Sequence, residues 1–272
     1  MVELATVVPE IDDRDWSILT LGERIRQIEV EGYVLIPDLL SASQLSEIKA
    51  QVATLETRGM DYSEHQRTAG DVMFLGGELT ELAAHPVTIP FLRTLLGDDI
   101  ICIKGDYTLS KPGHPGMAIH TDRGPAVMVR VLYYLNDLTP ERSPFRVIPH
   151  SHLSLHAEAN PYKRYQQHPD EVMVMAKAGS AILINHRVFH SNYPNRSDQD
   201  REMVAYAFRP GWCGPGKEEP PWDPAKLAAL PPHVRELFGD PNTHYDDFSR
   251  GNKPPDMPRD ARGISPDRWA RT

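Results

Sequence analysis

Three residues in the middle of the chain have types and a spacing suited to binding a transition metal. His120 and Asp122 stand two residues apart, and His190 follows much later. On a β-strand alternate side chains point to the same face, so His120 and Asp122 would project side by side. A second imidazole from another strand would complete a set of two histidines and one carboxylate. This ligand set leaves several metal positions open and is typical of non-haem Fe(II) oxygenases.

A later arginine adds a group suited to a carboxylate. Arg201 follows His190 at the start of another apolar run. Its guanidinium is a planar, permanently charged fork that binds both oxygens of one carboxylate. A His-x-Asp pair alone is a weak signal, but here it ends one predicted strand, while His190 follows a second and Arg201 opens a third. This order predicts that the four side chains meet at one mouth of a β-structure.

The elements that must position these residues divide the chain into three parts. Residues 1–98 have mostly helical spacing of apolar residues and predict a supporting region. Residues 99–210 contain apolar runs of strand length separated by turn residues, and predict the core. Residues 211–272 hold 11 of the 25 prolines and predict an irregular C-terminal wrap. We interpret residues 1–272 as one mainly β domain with flanking helices, a double-stranded β-helix of the jelly-roll or cupin-like barrel type.

Capping residues and periodicity predict the individual elements. A helix over 15–31 should end at Gly32, a second should begin with a capping box at Ser41, and a third should run from Pro86 to Gly97. Two short helices are expected in the C-terminal wrap. Strands are predicted over 33–36, 100–110, 117–122, 126–135, 145–149, 172–176, 181–185 and 203–208.

Composition narrows the class of partner and the compartment. The net charge is −9, which disfavours broad attraction to nucleic acid or anionic lipid. The chain shows neither a signal-peptide pattern nor an apolar run of membrane-span length, so we expect no membrane partner. Two cysteines are too few for a disulfide framework. A cytoplasmic enzyme with a small-molecule substrate is expected, and a homo-oligomer is left open.

Several separate motifs in this chain resemble those of the phytanoyl-CoA dioxygenase family of Fe(II)/2-oxoglutarate oxygenases. The resemblance extends from about Glu31 to Pro210, which is most of the chain. The segments occur in the order that the family has them, and this order makes the resemblance specific. The similar segments are 31–40, 109–112, 139–152, 179–190 and 195–201.

The resemblance implies roles for particular residues. The residues at the places of His120, Asp122 and His190 bind iron in the family, and the arginine at the place of Arg201 binds the far carboxylate of 2-oxoglutarate. Fe(II), 2-oxoglutarate and O2 are therefore the implied cofactor and cosubstrates, and succinate and CO2 the implied products. Related halogenases carry a small residue in place of Asp122. A carboxylate there favours hydroxylation, or a desaturation or ring-forming variant.

The chain departs from the family pattern at four places. Arg142-Ser143 stands where the family usually has Asn-Gly, and His150 stands where it has Gly. Asn192 takes the place of a small residue or serine. Leu132 stands where some members have an aromatic residue near 2-oxoglutarate. None of these positions is a metal ligand.

Further residues are candidates for the site. Tyr107 and Asn192 are expected to contact 2-oxoglutarate or substrate, with ordinary barrel polarity as the alternative. Arg130, inside an apolar strand, needs a partner if it is buried. A substrate carboxylate or a protein acid would serve equally. Leu132 and His152 are expected beside the substrate.

The remaining histidines are expected to be non-ligands. His186 and His190 are four apart, which would pair them on a helix, but the surrounding run has the pattern of a strand. His186 is therefore interpreted as a packing residue or a support for the ligands. His150 is also interpreted as a non-ligand. Solvated loop positions are favoured for a last group: His65, His114, Arg123 and Arg146.

These observations predict an Fe(II)/2-oxoglutarate-dependent dioxygenase that hydroxylates an aliphatic carbon of a small organic metabolite. Two alternatives stay open. One is a cupin-like metal enzyme that does not use 2-oxoglutarate, and the other is a non-catalytic metal- or metabolite-binding protein.

The C-terminal wrap carries aromatic and leucine residues over 222–248 and is expected to cover the barrel mouth or form a subunit interface.

Overall fold

The computed structural model describes residues 9–60, 63–153 and 168–244 of the chain. The strands are β1 (Glu10–Asp12), β2 (Tyr33–Ile36), β3 (Arg58–Met60), β4 (Ser63–Gly70), β5 (Ile100–Ser110), β6 (Val129–Tyr134), β7 (Phe145–Ile148), β8 (Val172–Val174), β9 (Ala181–Asn185), β10 (Phe189–Asn192) and β11 (Arg201–Pro210). The α-helices are α1 (Leu21–Val30), α2 (Ala42–Val52), α3 (Gly77–Glu81), α4 (Thr88–Leu96), α5 (Pro224–Ala229) and α6 (Pro232–Arg235).

The strands form two sheets. One has seven strands in the order β2-β9-β6-β11-β5-β4-β3, and the other has four in the order β1-β8-β7-β10. All pairs are antiparallel except β1 with β8. This confirms the prediction of a mainly β fold of jelly-roll type with flanking helices. Within the described residues both sheets stay open and neither closes into a barrel.

One cluster of buried apolar side chains joins the two sheets to the helices. It includes Val131 and Leu183 of the larger sheet, Val147 and Val174 of the smaller sheet, and Leu92 of α4. Strands β6 and β9 lie in the middle of the larger sheet, and their residues are buried almost throughout. The helices and the smaller sheet therefore cover the larger sheet and leave its inward side chains for the core and the site.

The first helices follow the sequence pattern with small shifts. The side chain of Asp15 caps a short 3-10 turn, so α1 begins only after Thr20. Gly32 follows α1 with a φ of 87°, and Ser41 forms the predicted capping box of α2. These three assignments depend on side-chain capping and on the positive φ that glycine adopts without strain.

One predicted helix start is wrong, and one predicted strand does not form. Helix α4 begins at Thr88 rather than Pro86, because residues 86 and 87 form a turn ahead of it, although Gly97 ends the helix as predicted. The predicted strand over 117–122 does not form, and its only ladder contact is an isolated bridge between His120 and His190.

The C-terminal segment packs against the domain as far as the structure describes it. Leu230, Val234 and Leu237 belong to the main apolar cluster, and the Cys102 amide donates to the Leu237 carbonyl at 2.8 Å. The Asp223 side chain caps α5, as its Asp-Pro sequence predicts. Two aromatic residues of the predicted wrap, at 245 and 248, lie outside the described residues.

Among the described helices, none combines the length and the apolar character that crossing a lipid bilayer requires.

The turn at Gly32 gives a test of the packing between α1 and the smaller sheet. An added Cβ at Gly32 would lie 2.7 Å from His152 Nδ1 and 2.7 Å from a methyl carbon of Val188. Gly32→Ala should lower the free energy of unfolding by roughly 2–4 kcal/mol, because a positive φ and overpacking both act against it. Chemical denaturation measures the change.

Gly22→Ala is the matched control. Gly22 lies in α1 with open space around its Cα. The substitution should raise the free energy of unfolding by roughly 0.5–1 kcal/mol, because alanine suits a helix better than glycine. Equal effects of both substitutions would contradict the packing described at Gly32.

Candidate metal centre

His120, Asp122 and His190 come together in the structure. His120 Nε2 lies 3.9 Å from Asp122 Oδ1, and His190 Nε2 lies 3.7 Å from Asp122 Oδ2. One ligand atom from each residue lies within 4.8 Å of the others, and no other group of this kind occurs in the described ranges. We refer to these three residues as the metal triad.

The backbone holds His120 and Asp122 in a loop, whereas His190 lies on strand β10. His120 and His190 exchange backbone hydrogen bonds of 3.0 and 2.9 Å, and the Asp122 amide donates to the His186 carbonyl at 2.9 Å. The predicted neighbour relation of His120 and Asp122 is therefore reached without a β-strand. These three backbone hydrogen bonds to residues 186 and 190 fix the position of the loop at His120 and Asp122.

The outward nitrogen of each triad histidine faces a carbonyl. His120 Nδ1 lies 2.9 Å from the Ala118 oxygen, and His190 Nδ1 lies 3.0 Å from the Val188 oxygen. A carbonyl only accepts, so each Nδ1 carries the proton and each Nε2 keeps its lone pair toward Asp122. This is the arrangement that metal-binding histidines adopt. The triad thus fits a divalent transition metal such as Fe(II) by donor type and by the direction of its lone pairs.

Charge around the triad keeps its groups in the forms that bind a metal. Burial lowers the pKa of His190 to about 4, so the imidazole is neutral at pH 7. Burial would raise the pKa of Asp122, but the charges of His190, Arg130 and His120 outweigh it and bring the pKa to about 2. The carboxylate is therefore ionised, and neither group needs to lose a proton before a metal binds.

Arg130 is engaged by two protein carboxylates. Its Nη1 donates to both Asp122 oxygens, at 3.2 and 3.3 Å, and its Nη2 lies 3.8 Å from Asp106 Oδ2. Of the two partners left open for this arginine, a substrate carboxylate and a protein acid, the structure contains the second. Arg130 lines the cavity beside the triad, where it orients the Asp122 carboxylate.

His186 supports the loop rather than joining the triad. Its Nδ1 and Nε2 lie 3.3 Å from the carbonyl oxygens of Asp122 and Ala126. This agrees with the interpretation of His186 as a support. His150 lies away from the triad, with its ring beside Val30 and Glu31.

A cavity of about 300 Å3 opens between the two sheets and contains the triad. Arg201 also lines it, and is almost completely buried at the start of β11. Its Nη2 lies 3.5 Å from Ser143 Oγ, and its guanidinium lies 5.8 Å from the centre of the Tyr134 ring. The structure thus brings the predicted arginine and the triad to one cavity, which we call the metal cavity. Asn192 and Leu132 line it as well, where their predicted contacts would require them.

Tyr107 does not reach the metal cavity, and its predicted contact with the cosubstrate is corrected. Its neighbours on β5, Asp106 and Thr108, line the cavity, so alternation turns Tyr107 to the other face. There its hydroxyl donates to Glu202 Oε1 at 2.8 Å.

His152 is also corrected. Its Nε2 lies 2.9 Å from the Glu29 carbonyl oxygen, and its side chain is buried against the end of α1 rather than in the metal cavity. The 3-10 turn over Ser151–Leu153 directs the imidazole away from the triad. His152 therefore joins the smaller sheet to the helical region.

Sequence reasoning missed several residues of the metal cavity. Tyr134 lies beside Arg201, Asp106 beside Arg130, and Phe145 stacks on His190 at 6.0 Å between ring centres. Strand alternation from Arg130 and Leu132 would have indicated Tyr134. His114, expected on a solvated loop, is buried, and burial together with the charge of Arg201 lowers its pKa to about 4.

The family model for phytanoyl-CoA dioxygenase (PhyH) matches residues 28–203. The chain belongs to this family. The match covers strands β2 to β10, the start of β11 and all three triad residues, which agrees with the resemblance found in the sequence. The family comprises Fe(II)/2-oxoglutarate-dependent oxygenases, so the chain is assigned to that class of enzyme.

Individual relatives are distant. The dioxygenase af480 of Aspergillus fumigatus is 22% identical over 214 residues, which are 70% of this chain and 67% of that protein. The epimerase SnoN from nogalamycin biosynthesis, in complex with Fe3+, alpha ketoglutarate and nogalamycin RO, superposes with a TM-score of 0.63 at 19% identity, covering 71% of this chain and 85% of SnoN. The carbocyclase SnoK from the same biosynthesis gives a TM-score of 0.61 at 20% identity, over 74% of this chain and 88% of SnoK. At this identity the superpositions show the fold alone.

The triad makes a direct prediction for this PhyH-family chain. His120→Ala, Asp122→Ala and His190→Ala should each lose Fe(II) binding under conditions that saturate the native protein, because each removes one ligand atom of three. Anaerobic equilibrium dialysis with Fe(II) measures this directly. His150→Ala and His186→Ala should still bind Fe(II). Loss of binding in His150→Ala, or its survival in His120→Ala, would show that the ligands are assigned incorrectly.

Proposed function

We propose that this protein is an Fe(II)/2-oxoglutarate-dependent dioxygenase that hydroxylates an aliphatic carbon of a small organic metabolite. One observation carries the proposal. Two histidine Nε2 atoms and the Asp122 carboxylate face each other in the same cavity as the buried Arg201. Metal ligands and a carboxylate-binding group thus occur together, as chelation of a 2-oxo acid requires.

Different residues of the metal cavity would bind the iron and the 2-oxoglutarate. Iron would be held by His120, Asp122 and His190, and the far carboxylate of 2-oxoglutarate would be held by Arg201. When bound, the iron and 2-oxoglutarate supply O2 activation coupled to oxidative decarboxylation, which yields succinate and CO2. Arg130 keeps the Asp122 carboxylate oriented.

Apolar side chains limit water in the metal cavity. Phe145 covers one face of His190, and Leu132 and Met203 line the wall from neighbouring strands. Exclusion of water strengthens the ion pair between Arg201 and a carboxylate, and it protects a reactive centre from side reactions. Asn192 donates to Ser143 Oγ and to the Tyr193 carbonyl, and Arg201 Nη2 lies 3.5 Å from the same Ser143 hydroxyl.

Hydroxylation is proposed over halogenation because Asp122 supplies a third protein ligand. A carboxylate at this position leaves no place for a halide ligand. SnoN is an epimerase and SnoK a carbocyclase, so the fold also hosts reactions in which no hydroxyl group is added. Substrate placement rather than the triad then decides the outcome.

Succinate formation separates this proposal from its alternatives. A cupin-like enzyme without 2-oxoglutarate would turn over substrate with no succinate, and a non-catalytic protein would bind ligands without turnover.

Both cysteines are free and buried, which supports the proposed cytoplasmic location. A homo-oligomer stays a prediction.

Turnover is tested by screening metabolites for stimulated succinate release with Fe(II), ascorbate and 2-oxoglutarate. The native protein should release succinate in step with product, and product formed under isotopically labelled O2 should contain one labelled oxygen. His190→Ala should release none. Product that is desaturated, cyclised or epimerised would retain the oxygenase class and reject hydroxylation.

Arg201→Ala should weaken 2-oxoglutarate binding while Fe(II) binding survives. Losing one partner of a buried, hydrogen-bonded charge pair costs roughly 2–5 kcal/mol, which corresponds to roughly 30-fold to several-thousand-fold in affinity. Titration of 2-oxoglutarate into Mn(II)-loaded protein measures the change. Arg93→Ala, which removes an exposed arginine paired with Glu236, should leave the affinity unchanged. Equal affinities in all three proteins would remove the main reason for assigning 2-oxoglutarate.

A further inference from the structure

A second, larger cavity borders the triad at Asp122. Its volume is about 910 Å3, and its wall includes Lys104, Asp122 and Arg130, which also line the metal cavity. Another part of the wall comes from residues 215–226. A cavity of this size can enclose a drug-sized molecule. A molecule held there would lie beside a metal ligand without occupying the space next to Arg201.

The C-terminal segment closes this second cavity against the loop that follows Asp122. An added Cβ at Gly216 would lie 2.8 Å from the Gly124 carbonyl oxygen, so the two backbones are in contact. The segment therefore forms a fitted wall of the cavity. Of the two roles expected for this segment, covering the barrel mouth and forming a subunit interface, the contact with Gly124 supports the first.

The fitted wall is largely apolar. The Trp222 ring lies 5.7 Å from the centre of the Phe74 ring, and its Nε1 donates to the Gly239 carbonyl at 3.1 Å. The one polar group of Trp222 is therefore hydrogen-bonded, and its ring presents an apolar surface that the contacts with Phe74 and Gly239 hold in place. Met128 and the two prolines before Trp222 extend that surface.

Six basic residues line the second cavity, and five of them are engaged. The engaged side chains are Lys104 with Asp106, Arg130 with Asp122, Lys217 with Glu219, Lys226 with Asp71, and Arg209 with backbone carbonyls. Arg123 is exposed, and within the described ranges it has neither a hydrogen bond nor an ion pair. The cavity thus combines an apolar wall with one available guanidinium.

We propose that the substrate occupies the second cavity as an apolar carboxylic acid whose carboxylate pairs with Arg123. This inference rests on the proposed function. The guanidinium binds both oxygens of the carboxylate, and the apolar body lies along Trp222 and Phe74. Arg123 directly follows Asp122, with Cα atoms about 3.8 Å apart. Asp122 and Arg123 both line the second cavity, so the aliphatic carbons of an acid paired with Arg123 lie in a cavity that one triad residue borders.

Calorimetric titration tests the pairing with decanoate, 1-naphthoate and the methyl esters of both acids. The protein is loaded with Mn(II) and 2-oxoglutarate. The native protein should bind at least one acid and bind its ester far more weakly. Arg123→Gln should bind that acid roughly 10- to 100-fold more weakly, the effect of losing a charge-assisted hydrogen bond. Lys177→Gln should match the native protein, because Lys177 is an exposed lysine paired with Asp137 outside the second cavity.

Two outcomes would overturn the inference: neither acid binds the native protein, or Arg123→Gln binds an acid as tightly as the native protein does. Titration of 2-oxoglutarate into Mn(II)-loaded protein without an acid separates this failure from that of the proposed function. If 2-oxoglutarate binds and the acids do not, only the substrate class is wrong. If 2-oxoglutarate does not bind, both proposals fail.

An independent observation concerns Ser143, which is buried with a φ of 45°. A residue other than glycine is strained at this φ. Its hydroxyl donates to the Tyr193 carbonyl at 2.8 Å, accepts from Asn192 Nδ2 at 2.6 Å and lies 3.5 Å from Arg201 Nη2. One strained residue thus places a hydroxyl between two side chains of the metal cavity.

We infer that Ser143 is a positioning residue for 2-oxoglutarate, acting through Arg201 and Asn192. Ser143→Ala and Ser143→Gly both remove the hydroxyl, and only the glycine variant also removes the strain. Both should bind 2-oxoglutarate roughly 5- to 10-fold more weakly in Mn(II)-loaded protein, the effect of one lost hydrogen bond. In turnover, KM for 2-oxoglutarate should rise more than kcat falls.

His150→Gly is the matched control, because His150 has a φ of 65° outside the metal cavity. It should relieve similar strain and leave 2-oxoglutarate affinity unchanged. Native affinity in both Ser143 variants would overturn the assignment. Weakening in Ser143→Gly alone would also overturn it, because the cause would then be backbone freedom rather than the hydroxyl.

Discussion

The reciprocal backbone hydrogen bonds between His120 and His190 are the constraint on which the site depends. They join a loop without regular structure to strand β10, and they bring two imidazoles within 4.5 Å between ring centres. The Met117 amide bonds to the Asn192 carbonyl on one side, and the Asp122 amide bonds to the His186 carbonyl on the other. Geometry that a strand would provide through a full ladder is here provided by a few bonds at the functional residues.

Neighbouring charges orient the Asp122 carboxylate, whose position the backbone hydrogen bonds fix. The Asp122 carboxylate lies between two imidazoles and the Arg130 guanidinium, and Arg130 also faces Asp106. The arginine opposes any rotation of the carboxylate away from the triad. Without it, the pKa of Asp122 would be higher, because fewer neighbouring charges would oppose the effect of burial, and the carboxylate would be freer to turn toward solvent. Arg130 thus acts on the metal site through its ligand, and it is not available to bind a free acid in the same way.

Residue type and order were enough to predict the triad, Arg201, the jelly-roll class and most strand positions. Local structure was harder where proline and glycine interrupt the chain. The predicted strand over 117–122 is flanked by Pro112, Pro115 and Pro125, which cannot donate to a strand ladder, and within the described residues only His120 forms a bridge there. Tyr107 was assigned to the wrong face, although the polar residues Lys104, Asp106 and Thr108 alternate on the cavity face of β5 and leave Tyr107 on the opposite face.

Contacts between distant segments had no sequence signal at all. His152 turns to the carbonyl of Glu29, 123 residues away along the chain. The left-handed backbone at Ser143 had one indirect signal, the glycine that the family usually has at this place. The positions where the chain departs from its family's glycines kept the backbone conformation of glycine while gaining a side chain, and the departure at Ser143 adds a hydroxyl to the site.

The two cavities are built from different stretches of the chain. Every residue that lines the metal cavity precedes residue 204, whereas a wall of the second cavity is formed by residues 215–226, beyond the segment that matches the family. Exchange of this terminal segment would therefore alter the shape and polarity of the second cavity and leave His120, Asp122 and His190 unchanged. In evolutionary terms the protein is modular: selectivity can diverge at the C-terminal end while the oxidative chemistry is inherited unchanged.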